Sequence, residues 1–274
     1  MKSAGSLKSY QRLIIFLLFI LAITCVISPW MALAADWIHG NWPSPIDERV
    51  PFPRVFNRAF MVAGIIGFIA ARKFIFPPRI KPLLMPGFAK ASRLLSVGWI
   101  LGVASTALLV TLMAIGDIFD PFFRLSWGES VSRLISAFFA GIFVGFLEEI
   151  FFRGILFREL RDDGRPLAAY LFANLFYSAL HFVKPGEAYF LNGVEPLAGF
   201  RHLLTTFEPF LHPLDLISGM FGLFLIGVIL SYALVRTGNL YLSIGLHAGW
   251  IFGLKVIRVF GDFIHTYTLD HAVR

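Results

Sequence analysis

The stretch RLISAFFAGIFVGFLEEIFFRGILF, residues 133–157, is apolar over most of its length but carries Glu148, Glu149 and Arg153. A transmembrane helix needs about 20 consecutive, mostly apolar residues, and this stretch is long enough. Ionisable groups at membrane depth cost about 2.5–3.5 kcal/mol each on insertion scales, so their presence requires a reason. The stretch therefore predicts a membrane-spanning helix that holds a polar site.

Other stretches of the chain are also apolar and long enough to span a bilayer. The predicted spans are 13–34, 56–76, 94–115, 133–157, 166–184, 215–235 and 240–260. The composition agrees, because 57% of the 274 residues are hydrophobic and only 15% are charged, whereas soluble domains contain about 25% charged residues. The sequence predicts an all-α, polytopic transmembrane bundle of about seven helices, with eight as an alternative, and a single membrane domain over residues 1–274.

The first span allows two interpretations. Lys2, Lys8 and Arg12 precede an apolar run that ends in Ala32-Leu33-Ala34, as in a cleaved signal peptide. Bulky apolar side chains inside the run favour a retained helix instead. Both interpretations stay open for this segment.

Charged residues predict the orientation in the membrane. Lys and Arg gather at the N-terminus and on alternate connections, and acidic residues gather on the connections between them. Since cytoplasmic loops carry the excess of Lys and Arg, the N-terminus is predicted to be cytoplasmic and the C-terminus to lie outside. Arg49, Arg54 and Arg58 run against this pattern. The net charge of +7 is thus explained without a nucleic-acid partner. Cys25 is the only cysteine, which excludes a disulfide framework.

The carboxylates of the fourth span have different surroundings along the helix. Adjacent residues on a helix point about 100° apart, so Glu148 and Glu149 face different ways. Glu149 and Arg153 are four residues apart and share a face, which allows them to pair. Glu148 then has no local partner and is a candidate general base or acid. The alternative for Glu149 and Arg153 is a purely structural ion pair.

Two histidines lie inside other apolar spans. His181 and His247 each sit on an otherwise apolar helix, where a single histidine is more often a packing residue than a catalyst. Together with the paired carboxylates they favour a functional site. Gly245 and Gly249 flank His247 and would let another helix approach closely. No role is predicted for the histidines in loops or near the tail, which are His39, His202, His212, His265 and His271.

Ordered motifs at these positions resemble those of the CPBP (CAAX-protease and bacteriocin-processing) family of intramembrane proteases, with its Rce1-like and Abi members. The first motif, EExxxR, is matched at Glu148, Glu149 and Arg153. The second, FxxxH, is matched at His181, although Tyr177 stands in place of the usual Phe.

The third motif departs from the family pattern. His247 matches, but Ile251 occupies the position of an Asn or a similar polar group. If that group completes an oxyanion hole in relatives, this chain needs another hydrogen-bond donor. Ser243 shares a helix face with His247, and Asn174 shares one with His181, so that either is a candidate substitute.

The resemblance implies a catalytic core over about residues 133–255. It also implies hydrolysis of a peptide bond in a membrane-associated protein or peptide, including a lipidated, CAAX-like one. The partners would be the lipid bilayer and that substrate. The protein is predicted to be integral to a bacterial inner membrane.

By the same resemblance, Glu148 would activate the attacking water with help from His181. His247 would orient the water or stabilise the oxyanion, and Glu149 and Arg153 would form a supporting pair. No cofactor is expected, because the relatives resemble glutamate proteases.

Three alternatives remain. Zinc held by Glu148, His181 and His247 is the competing mechanism, since catalytic zinc sites use three protein ligands. A proton-coupled transporter would also bury Glu, Arg and His. The third alternative is a catalytically silent membrane scaffold or assembly factor, and Ile251 is the residue that favours it.

Overall fold

The computed structural model describes residues 7, 9–41, 49–75, 81–183 and 188–264, and most of them are helical. The elements in chain order are α1 (Ser9–Asn41), α2 (Phe52–Ile75), α3 (Lys81–Leu84), α4 (Phe88–Ile115), β1 (Phe119–Pro121), α5 (Trp127–Glu149), a π-helix (Ile150–Phe157), α6 (Arg158–Asp162), α7 (Pro166–Ala168), a second π-helix (Ala169–Ala173), α8 (Asn174–Leu180), α9 (Ala198–Thr205), a 3₁₀-helix (Glu208–Leu211), α10 (Pro213–Thr237), α11 (Tyr241–Val256), a second 3₁₀-helix (Ile257–Val259) and β2 (Gly261–Phe263).

Within the described residues, six helices are long and apolar enough to cross a membrane. They are Ile14–Asn41, Phe52–Ala71, Phe88–Ile115, Trp127–Asp162, Pro213–Thr237 and Tyr241–Val259. The remaining predicted span, 166–184, corresponds to a shorter apolar helix, Pro166–Leu180. The protein is therefore an integral membrane protein with an all-α, polytopic fold, as the sequence predicted.

The chain divides into two compact units. Unit 1 contains Met1–Pro78 and Arg158–Gly227, and unit 2 contains Arg79–Phe157 and Val228–Arg274. The organisation of residues 1–274 as a single membrane domain stays a prediction, as does the orientation of the N-terminus.

In unit 1, α1 packs against both α2 and α9. The buried apolar side chains at this contact are Cys25, Ala32, Phe52, Val55, Phe56, Leu191 and Ala198. Gly199 of α9 lies against the backbone of Cys25, and an added Cβ would overlap the Cys25 carbonyl. A small residue at this position is what allows the two helices to approach so closely.

His202 lies in unit 1 on α9, whereas the sequence predicted a loop at this position. Its side chain is buried against the rings of Phe52, Phe56 and Tyr189, with centroid separations of 5.6, 4.8 and 5.9 Å. Neither ring nitrogen has a hydrogen-bond partner among the described residues. Burial lowers the pKa of His202 from its ordinary value, because the apolar surroundings disfavour the charged ring.

In unit 2, α11 packs against α4 through facing glycines. A Cβ added to Gly98 would lie 3.0 Å from the Cα of Gly245, and one added to Gly102 would lie 3.0 Å from the Cα of Gly249. The close approach predicted from the glycines around His247 is therefore confirmed, and the neighbour that they contact is α4. Helix contacts in membranes depend on such small residues because lipid supplies little hydrophobic driving force between helices.

The start of α5 is fixed by a capping box. The Ser126 hydroxyl accepts a hydrogen bond from the Glu129 backbone N–H, and the Glu129 carboxylate accepts one from the Ser126 backbone N–H at 3.1 Å. These two bonds satisfy N–H groups that the first turn of a helix leaves without partners. The cap thus sets where the helix carrying Glu148 and Glu149 begins.

The ends of α4 and α11 lie on one side of unit 2. β1 follows α4 and pairs antiparallel with β2, which follows α11, with Phe119 opposite Phe263 and Pro121 opposite Gly261. Paired strands lie on the same side of a membrane, so the chain between them crosses it an even number of times. The described part of this interval contains three helices long enough to span and the shorter apolar helix Pro166–Leu180, so four crossings stay a prediction.

Candidate active site

The centre of the candidate site is a buried ion pair at the end of α5. Arg153 Nη1 donates a hydrogen bond to Glu149 Oε1 at 2.9 Å, and both side chains are fully buried. The ion pair predicted from their spacing is therefore present. Removing either partner would leave an uncompensated charge in an apolar environment, which is strongly unfavourable.

His247 of α11 is held by the same carboxylate. Its Nδ1 lies 2.9 Å from Glu149 Oε1. Because a carboxylate accepts hydrogen bonds, Nδ1 carries the proton in this arrangement, and Nε2 becomes the acceptor in a neutral ring. Glu149 thus selects the tautomer and the orientation of His247 while Arg153 balances its charge.

Glu148 lies on the other side of the His247 ring. Its Oε2 is 3.8 Å from Nε2, a distance within ion-pair range but beyond a direct hydrogen bond. The Glu148 side chain is 29% exposed, whereas that of Glu149 is 0% exposed. The adjacent carboxylates therefore have different surroundings, since Glu149 is enclosed and paired with Arg153 while the Glu148 side chain is partly exposed.

A tight contact between α5 and α11 positions His247 beside the carboxylates. A Cβ added to Gly141 would lie 2.7 Å from the Ala248 carbonyl oxygen, and one added to Gly145 would lie 3.2 Å from the Ala248 nitrogen. Gly145 is one turn before Glu149, and Ala248 follows His247 directly. Contact between the two backbones here brings the side chains of His247 and Glu149 within hydrogen-bond distance.

A π-helix begins immediately after Glu149. It covers Ile150–Phe157 and contains Arg153. Short π-helical segments within α-helices are rare and are frequent at functional sites. The sequence does not predict this feature, because the wider turn is set by backbone hydrogen bonds and carries no signature in the residue types.

The second motif lies in unit 1, at the end of α8. His181 Nδ1 lies 2.9 Å from the Tyr177 carbonyl oxygen, so Nδ1 is the donor and Nε2 the acceptor of a neutral ring. The ring of His181 also contacts the buried ring of Tyr177, with centroids 4.6 Å apart. The exchange of Phe for Tyr at this position therefore keeps the aromatic contact with the histidine.

The two candidate substitute donors make hydrogen bonds within their own helices. The Ser243 hydroxyl donates to the Leu240 carbonyl at 2.9 Å, and the Asn174 amide donates to the Tyr170 carbonyl at 2.8 Å. Both residues are buried. Their role as replacements for the missing polar group at Ile251 stays a prediction.

The predicted site residues fall into two groups. In unit 2, the side chains of Glu148, Glu149, Arg153 and His247 are brought together. Tyr177 and His181 are in contact with each other in unit 1.

Whether a zinc ion fits depends on the side-chain donors that lie close together. In unit 2, Glu148 and His247 face each other, while Nδ1 of His247 is used by Glu149. Catalytic zinc sites use three protein ligands, and the described residues contain no group of three or more His, Cys, Asp or Glu side chains that could hold a metal. Glu148 and His247 thus provide two of the three protein ligands that a zinc site uses, and the expectation of metal-free hydrolysis stays a prediction.

Part of the chain matches a known protein family. Residues 130–253 match the family model described as type II CAAX prenyl endopeptidase Rce1-like. The matched segment includes all three motifs, from Glu148 to Ile251, and nearly coincides with the predicted core of 133–255. No curated protein and no solved structure matches the chain.

Proposed function

We propose that this protein is an intramembrane endopeptidase of the glutamate type, because residues 130–253 match the family model described as type II CAAX prenyl endopeptidase Rce1-like, consistent with the CPBP resemblance. Its substrate is a membrane-associated protein or peptide, lipidated in the manner of a CAAX protein. The observation that carries the proposal is the position of His247, with Nδ1 on the buried Glu149 and Nε2 facing Glu148 at 3.8 Å.

Glu148 acts as the general base. A general base must reach water, and of the two adjacent carboxylates Glu148 is the partly exposed one. Glu149 is enclosed by Arg153 and His247, so its charge is already compensated. Adjacent carboxylates in different environments commonly divide such roles.

The reaction follows from this division of roles. Glu148 accepts a proton from water, and the resulting hydroxide attacks the carbonyl carbon of the scissile peptide bond. The carbon–nitrogen bond then breaks as the proton passes from Glu148 to the leaving amine. The family resemblance also implies a water-binding role for His181.

His247 supports the developing negative charge. Its Nε2 lies 3.8 Å from Glu148. When Nε2 takes up the proton that Glu148 removed from water, it becomes an N–H donor for the oxyanion, and the proton then returns through Glu148 to the leaving amine. Fixed donors at low dielectric stabilise such charge far more than they do in water. The hydrogen bond from Nδ1 to Glu149 keeps the ring oriented throughout.

Glu148→Gln tests the proposal, because it removes the base and keeps the size of the side chain. Wild type and variant are compared on fluorogenic lipidated and unlipidated peptides in detergent. We expect cleavage by the wild type and a loss of about 10²–10⁴-fold in the variant, as for removal of a general base. Glu208→Gln, an exposed carboxylate in a 3₁₀-helix, is the matched control and keeps full activity.

Metal dependence is tested on the same peptides. A glutamate protease keeps its activity in metal-free buffer with a chelator. Loss of activity that zinc restores would assign the reaction to a metal-dependent mechanism instead.

A catalytically silent scaffold is the second candidate function, and Ile251 is the observation that favours it. An alkyl side chain donates no hydrogen bond, so the oxyanion lacks one family donor. Peptide cleavage distinguishes the protease from the silent scaffold. If no lipidated or unlipidated peptide is cleaved by the wild type, and Ile251→Asn creates Glu148-dependent cleavage, the silent function is correct.

A further inference from the structure

Helix α2 presents a continuous exposed apolar face. Met61, Ile65 and Ile69 follow one another at helical spacing and are 62%, 56% and 56% exposed. The opposite face of the same helix is buried in unit 1 through Phe52 and Phe56. Because α2 is one of the candidate membrane spans, lipid chains are the natural neighbours of the exposed face.

Two arginines continue this face toward the N-terminal end of α2. Arg58 lies one turn before Met61, Arg54 lies one turn before Arg58, and both are exposed. Residues four apart on a helix have Cβ atoms about 5–6 Å apart. Two guanidinium groups at this spacing can reach one phosphate group.

Neither arginine has an ion-pair partner in the described part of the chain. The neighbouring cations differ from them, because Arg49 pairs with Asp36 and Arg201 pairs with Glu195. Asp36 and Glu195 therefore already have arginine partners.

The placement of these two charges runs against two general preferences. Cations are unfavourable in the first turns of a helix, where the macrodipole is positive. They are also under-represented on the outer side of a membrane, to which this connection is predicted to belong. An anion bound at this position would compensate both costs.

We propose that Arg54 and Arg58 bind the phosphate of an anionic phospholipid whose acyl chains lie along Met61, Ile65 and Ile69. Guanidinium groups match phosphate oxygens with two parallel hydrogen bonds. The headgroup layer begins where the apolar face ends, which is the level of Arg58. The preference is for a net negative headgroup, because a zwitterionic lipid brings its own ammonium group next to two cations.

Native mass spectrometry of the detergent-solubilised protein tests the proposal. Phosphatidylglycerol and phosphatidylethanolamine are titrated separately, and the bound lipids are counted. We expect wild type to bind phosphatidylglycerol more tightly, and Arg54→Gln and Arg58→Gln each to weaken that binding ~5-fold, which gives ~25-fold for the double variant. Phosphatidylethanolamine binding stays unchanged.

Arg133→Gln is the matched control. Arg133 is an exposed arginine in the second turn of α5, one turn after Glu129, and it lacks a second arginine beside it. This variant keeps wild-type binding of phosphatidylglycerol. Circular dichroism verifies that all variants keep their helical content, and the two single variants serve if the double variant does not fold.

Four results would overturn the proposal. Three concern lipid binding, namely equal binding of both lipids by the wild type, unchanged phosphatidylglycerol binding in the double variant, and an equal loss in Arg133→Gln. The fourth result comes from competition between inorganic phosphate and the bound lipid. Displacement of the lipid by millimolar phosphate would show a phosphate site that does not depend on the apolar face, contrary to the proposal.

Discussion

Two buried histidines, one in each unit, occupy opposite environments. His247 donates from Nδ1 to a buried carboxylate whose charge Arg153 balances, and its second nitrogen faces another carboxylate. His202 is surrounded by aromatic rings, and neither of its nitrogens has a hydrogen-bond partner in the described residues. The residue type and the burial are the same, so the polar neighbours decide that one ring is equipped for proton transfer and the other is a packing residue.

The largest expected effect comes from removing the carboxylate that distinguishes the two histidines. Glu149→Gln leaves Arg153 buried without its counter-charge, so we expect the free energy of unfolding to fall by about 3–5 kcal/mol. Denaturant unfolding in detergent measures the change. Glu148→Gln is the control. Because the Glu148 side chain is partly exposed, its replacement should lower the free energy of unfolding much less. Equal losses in the two variants would show that the burial of Glu149 has no special energetic role.

A smaller effect is expected at the helix contact that brings His247 to Glu149. Gly141→Ala places a Cβ 2.7 Å from the Ala248 carbonyl oxygen, which forces α5 and α11 apart. Overpacking of this kind lowers the free energy of unfolding by about 1–3 kcal/mol, and proteolytic activity should fall as well. Gly64→Ala is the matched control, because nothing lies within 4 Å of the added Cβ. Tolerance of Ala at Gly141 with full activity would contradict the proposed role of the contact.

The smallest effect concerns His202. Replacement by Phe removes two ring nitrogens that lack partners, and we expect the free energy of unfolding at pH 8 to rise by about 1 kcal/mol. The measurement is denaturant unfolding of wild type and His202→Phe. A marked loss of stability in the variant would show that the ring nitrogens have a partner that stabilises the fold.

The pH dependence of stability provides a separate test of His202. Burial lowers its pKa below the ordinary value, so the unfolded chain binds the proton more readily than the folded protein. The stabilisation is complete above the unfolded pKa of about 6.5 and is lost as the pH falls through the folded pKa. His202→Phe should reduce this loss. An identical pH profile in the two proteins would show that His202 does not titrate on unfolding.

The comparison of the histidines also shows how far sequence could predict this site. The pairing of Glu149 with Arg153 followed from helical spacing alone, and the apolar spans followed from composition and length. The contact of His247 with Glu149 joins distant parts of the chain, so only the motif resemblance brought the two residues together. The burial of His202 was missed because its helix lies in a connection of mixed polarity, where tertiary contacts with Phe52 and Phe56 determine exposure.

A double-mutant cycle on Glu148 and His247 tests the central claim most directly. Turnover of a lipidated peptide is measured for wild type, Glu148→Gln, His247→Phe and the variant with both changes. If the two residues act as a unit in activating water, each single change removes most of the activity and the double variant is no worse than the poorer single variant. Wild-type turnover in Glu148→Gln, or losses that multiply in the double variant, would contradict the account.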